Sequence, residues 1–107
     1  MILFLFIQQN MSLASPLINE VMYDAASGIP EEEGEWVEIC NPSEEDIDLS
    51  GYTLENAGSS WSWVFTFPMG SNVTAGGYLV VGPAATGEAF GTNLQNGGSN
   101  TDGLRLL

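Results

Sequence analysis

The sequence predicts an all-β domain, either a sandwich or a barrel. Apolar-rich runs recur at a spacing of about ten residues, with Gly- and Pro-containing turns between them. No stretch keeps a helical period beyond a turn or two. With 107 residues the chain is one domain's worth of protein, and 44% hydrophobic residues suffice for a core.

Residues 17–23 form the first expected strand. Residues 25–34, with Gly28, Pro30 and Glu31 to Glu33, read as a solvated loop. The second strand covers 35–40, where Val37 and Ile39 share a face and Trp36 falls out of phase. A bulge at Glu35 and Trp36 accounts for this, as do two partly covered faces. Asn41-Pro42-Ser43 is a turn in which Asn41 bonds to nearby backbone. A short extended piece at 47–49 is followed by punctuation at Ser50-Gly51, a strand at 52–55 and a turn at 56–60.

Residues 61–67 alternate strongly, placing Trp61, Trp63, Phe65 and Phe67 on one face. That stripe is the largest expected aromatic contribution to the interior. Turns at 68–72 and 75–77 precede a strand at 78–81. Residues 84–100 leave room for a short strand near Phe90 and Leu94, and 104–107 close the chain. The predicted core is Trp36, Val37, Ile39, Leu49, Tyr52, Leu54, Phe65, Phe67, Leu79 and Val81. Full burial of each large member is worth about 1.5–3 kcal/mol. Gly51 and Gly76 are expected to supply turn conformations that hinder a side chain.

Fourteen acidic residues face one basic residue, Arg105, and there is neither histidine nor lysine. This composition excludes histidine acid–base pairs, Ser-His-Asp and Cys-His arrangements, lysine Schiff bases and imidazole metal sites. A net charge of −13 argues against nucleic acid as a partner, because phosphate binding draws its affinity from Lys and Arg. Anionic membrane surfaces are disfavoured too. One-sign charge opposes compaction, so the melting temperature is expected to rise between low and moderate NaCl. A flat or falling Tm over that range would contradict this.

Cys40 is the single cysteine and can form no intramolecular disulfide. It reads as a buried, small apolar thiol within a strand. Residues 1–16 stand apart. The run MILFLFI is too short to span a bilayer. It fits a short signal peptide, with Ser12-Leu13-Ala14 as a cleavage site, or a misplaced start upstream of Met11. No membrane insertion of the mature domain is expected.

Successive blocks then carry a resemblance. They are Leu17-Ile18-Asn19-Glu20-Val21, Glu35-Trp36-Val37-Glu38-Ile39 with Asn41-Pro42-Ser43, and Asp48-Leu49-Ser50-Gly51-Tyr52-Thr53-Leu54. Phe65-Thr66-Phe67-Pro68 with Gly70, Ala75-Gly76-Gly77-Tyr78-Leu79-Val80-Val81, residues 93–98 and Leu104 follow in order. The series over 17–107 resembles the lamin tail domain family, in its prokaryotic accessory-module form. The resemblance implies an immunoglobulin-like β-sandwich that acts without catalysis beside other extracellular domains. The family continues past the Leu104 segment into a final strand, so a C-terminally truncated sandwich is expected. An open edge of that kind favours homo-association.

Glu31 to Glu33, Glu35, Glu44, Glu45, Asp46 and Asp48 form two acidic patches of a kind that suits Ca²⁺, although they lack the spaced pattern of an EF-hand. Glu20 and Glu38 are expected to face solvent or bond to backbone, since acids directly opposed on adjacent strands repel. A carboxylate pair can hydrolyse glycosides, but nothing singles one out. Asn10-Met11-Ser12 and Asn72-Val73-Thr74 match the glycosylation sequon, and Gly97-Gly98 reads as a turn.

No catalytic, cofactor-binding or metal-ligating residue is assigned, and no cofactor is expected. The domain reads as a non-catalytic module for adhesion, tethering or surface assembly. Its expected place is a secreted or cell-surface protein with a protein or cell-surface partner. The alternative is a calcium-binding acidic sandwich accessory to an extracellular hydrolase.

Overall fold

The computed structural model describes residues 15–23, 28–57, 60–92, 94 and 103–107. Residues 1–14 of the segment 1–16 expected to be a signal peptide or a misplaced start, the sequon at Asn10, and residues 93 and 95–98 lie outside them. Among the described residues eight strands run β1 (Leu17–Met22), β2 (Trp36–Cys40), β3 (Ile47–Asp48), β4 (Thr53–Ala57), β5 (Trp61–Thr66), β6 (Asn72–Val73), β7 (Tyr78–Val81) and β8 (Gly103–Leu106). Two single-turn helices accompany them, α1 (Glu31–Gly34) and α2 (Pro83–Thr86).

All the pairings are antiparallel. One sheet has the order β1-β2-β7, a second β5-β4-β8, and β3 pairs with β6 in a short ribbon. Between the sheets lies one buried cluster. Val37, Ile39 and Val81 enter it from the first sheet, and Leu54, Val64 and Phe65 from the second. Ile47 and Val73 come from the ribbon, with Leu49, Phe67 and Leu94 completing the cluster. Sheet alternation explains the division, because residues two apart on a strand share a face.

Two bulges break that alternation. Leu54 pairs with Phe65 but Glu55 pairs with Trp63, so Val64 is the extra residue on β5. Its carbonyl accepts the Gly91 N–H at 2.7 Å instead. The extra residue shifts parity. Val64 and Phe65 both point inward, while Trp63 and Trp61 turn to the outer face at 53% and 45% exposure. The expected tryptophan-rich interior is therefore corrected. The core aromatics are Phe65 and Phe67, and the indoles lie at the surface. In β1 the bulge falls at Asn19, between Ile18, opposite Ile39, and Glu20, opposite Glu38.

Further differences are local. Trp36, expected in the core, sits half-buried on the outer face of β2, opposite in phase to Val37 and Ile39. Glu31–Gly34 is a helical turn, with the Glu33 and Gly34 N–H groups donating to the Pro30 carbonyl. Asn72, expected in the 68–72 turn, pairs with Asp48 of β3, next to Val73 opposite Ile47. Phe90 and Leu94 carry no strand, although Leu94 is buried. Gly51 and Gly76 do adopt positive φ, 81° and 67°.

Candidate interaction surface

The acidic residues divide by local geometry. Asp48 Oδ1 accepts the Ser50 Oγ–H at 2.6 Å and the Ser50 N–H at 2.9 Å. The side-chain bond first and the backbone bond second hold its carboxyl below the usual aspartate value. What this bond adds to stability is present above the unfolded pKa and fades as pH falls through the lowered one. Asp46 Oδ1 accepts the Ala75 N–H at 2.9 Å, and the Glu45 carbonyl accepts from Asn41 and Ser43. The Asp46 and Asp48 carboxylates thus serve turns, and Glu45 contributes its backbone carbonyl. Among the described residues no three or more His, Cys, Asp or Glu side chains converge as a metal site would require.

Glu35 leaves the acidic patch altogether. It is fully buried, and its Oε2 accepts the Leu94 N–H at 2.9 Å. A carboxylate removed from water needs such donors. Cys40 is half-buried on the outer face of β2 rather than in the core. Glu20 and Glu38 are directly opposed across β1 and β2, the arrangement expected to repel. Glu20 is exposed, whereas half-buried Glu38 accepts the Asn19 Nδ2–H at 2.6 Å on its Oε2. That donor is the bulge residue's side chain rather than backbone. Asn72 of the second sequon is exposed on β6.

The outer face of β5-β4-β8 carries the single basic residue. Arg105 donates from Nη2 and Nε to Glu55 Oε1 at 2.6 and 2.9 Å, and its guanidinium lies 3.9 Å from the Trp61 ring centroid. Trp63 is fixed nearby. Its Nε1–H donates to Thr66 Oγ1 at 2.8 Å, and its ring packs so closely on Gly91 that a β-carbon there would collide with it. The Arg105 cluster fastens β8 to β4 and β5. Arg105→Ala is expected to cost about 1–2 kcal/mol, a figure limited by the solvent exposure of both partners. Arg105→Lys recovers only part of it. Thermal denaturation of the two variants checks both statements.

The outer face of β1-β2-β7 differs. Leu17 and Tyr78 are exposed there on either side of half-buried Cys40, Met22 is exposed beside half-buried Trp36, and Glu20, Glu38 and Val80 form the row between. After β7 the chain crosses the backbone of residues 35 and 36 so closely that only glycine fits. At Gly82, φ is +124°, and a β-carbon would meet Glu35 O at 2.8 Å and Trp36 Cα at 2.9 Å. The Ala84 N–H then donates to the Glu35 carbonyl at 3.3 Å, which sets α2 beside β2. Trp36, Glu38, Val80, Ala84 and Ala85 thereby enclose an open groove of about 330 Å³. Sequence reasoning missed this groove. Its signal was the phase of Trp36, which alternation placed on one face with Glu38.

The model of the Lamin Tail Domain family matches residues 9–106. The chain belongs to the lamin tail domain family. Its two antiparallel sheets are the immunoglobulin-like sandwich of that family, as the ordered sequence blocks implied. Searches of curated proteins and of solved structures return no match. Among the described residues, no helix of this lamin tail domain is long and apolar enough to cross a membrane.

Proposed function

We propose that this lamin tail domain is a non-catalytic interaction module that tethers a secreted or cell-surface protein to a protein partner. Membership of an immunoglobulin-like, non-enzymatic family supports the reading. The observation that carries it is the outer face of β1-β2-β7. Leu17 and Tyr78 are exposed there on either side of Cys40, Tyr78 at 65%, and Met22 is exposed beside Trp36, with Glu20, Glu38 and Val80 in the row between. Large apolar side chains exposed together around polar ones are the surface a partner covers.

Fluorescently labelled full chain, applied to intact cells of the producing organism, tests the proposal. Saturable surface retention is expected, lost when Tyr78→Asp and Val80→Asp are combined with the circular dichroism spectrum unchanged. Retention that survives the double variant would overturn it.

A further inference from the structure

We propose that the groove beside Trp36 seats an arginine or lysine side chain from an extended segment of the partner protein. This deepens, and rests on, the assignment of the β1-β2-β7 outer face as the interaction surface.

The lining of the groove matches such a side chain part by part. Trp36, Val80 and the methyl groups of Ala84 and Ala85 offer apolar walls to a long aliphatic stem, and Glu38 supplies the carboxylate for its cationic head. Asn19 donates to Oε2 of Glu38, and among the described residues Oε1 accepts no hydrogen bond. Glu20 stands directly opposite on β1, so two acidic residues are cross-strand neighbours on this face. Like charges so placed destabilise a sheet. A bound cation offsets that cost.

The opposite sheet holds an intramolecular version of the same arrangement. There Arg105 lies over Trp61 and bonds to Glu55, all on one outer face. On β2, Trp36 and Glu38 again place an indole and a carboxylate on one outer face, the pair that a guanidinium completes on the other sheet. The chain cannot supply one here, because its one basic residue is already committed to Glu55. A net charge of −13 selects for a basic partner and steers it inward. Arginine adds stacking on the indole face to the charge pair.

The test uses isotopically labelled full chain and two capped pentapeptides, Thr-Val-Arg-Val-Thr and its citrulline counterpart, which keeps the shape and removes the charge. Binding of the arginine peptide is expected to saturate, moving the Trp36 indole N–H and the Ala84 and Ala85 methyl resonances. The citrulline peptide should bind about tenfold more weakly. Glu38→Gln should lose affinity to a similar degree while its Tm holds or rises, since repulsion from Glu20 is relieved. Glu45→Gln, an equal change of charge on an exposed loop, should leave affinity intact.

Equal binding of the two peptides would overturn the inference and leave the interaction face standing. Equal losses in Glu38→Gln and Glu45→Gln would also overturn it, by revealing diffuse attraction. So would shifts at Trp36 that follow protein concentration alone, which would make a second copy the occupant. If neither peptide moves Trp36 while cell-surface retention persists, the inference again falls and the interaction face survives.

Discussion

Phe67→Ala is expected to destabilise the domain by about 3–5 kcal/mol, read from urea denaturation. Phe67 is 1% exposed, and its ring meets that of Phe65 edge to face with centroids 5.1 Å apart. Its backbone also closes the turn beside it. The Phe67 N–H donates to the Tyr52 carbonyl at 2.8 Å, and the Phe67 carbonyl accepts from Gly51 at 2.9 Å. Alanine preserves those bonds and leaves a cavity where the two sheets meet. A domain of this size has about 5–15 kcal/mol in total, so much of its margin disappears. Trp63→Ala removes a larger side chain yet should cost less than half as much, because that indole is half exposed. Equal costs would contradict the bulge at Val64.

Asn41→Ala is expected to cost about 2–4 kcal/mol for a different reason. The side chain is buried, and every polar atom on it is used. Nδ2 donates to the carbonyls of Glu45 at 2.7 Å and Val73 at 3.0 Å, and Oδ1 accepts from Ser43 N–H and Oγ–H at 3.0 and 2.7 Å. One residue thus ties the end of β2 to the acidic loop and to β6. Alanine leaves the buried Val73 carbonyl without that donor, so the penalty is desolvation rather than lost packing. Asn41→Asp does not rescue, since it keeps the acceptors, loses both donors and buries a charge. Urea denaturation gives the cost, and faster amide exchange at Ser43 locates it.

How much was legible depended on whether the deciding contact was local. Val37 and Ile39 in β2 alternate without interruption, and their burial could be read directly. The turn bond of Asn41 spans two residues and was equally legible, whereas its bond to Val73 was not. The stripe 61–67 misled because a bulge is a count of two residues against one on the neighbouring strand. Parity along one strand contains no trace of it. Glu35 was hidden for a similar reason, as the amide that bonds its carboxylate belongs to Leu94, 59 positions away. For the groove, Trp36 and Glu38 were readable as neighbours on one face. Its wall was not, because α2 is brought there by the close crossing at Gly82.

The solitary arginine makes the molecule an unusual target for trypsin. That protease needs a basic residue, and this sequence offers one bond, between Arg105 and Leu106. The bond lies inside β8, with the guanidinium clamped between Glu55 and the Trp61 ring. Cutting there requires the strand to lift away first. The rate of digestion therefore becomes a private clock for one event, the detachment of β8, silent to every other fluctuation of the domain.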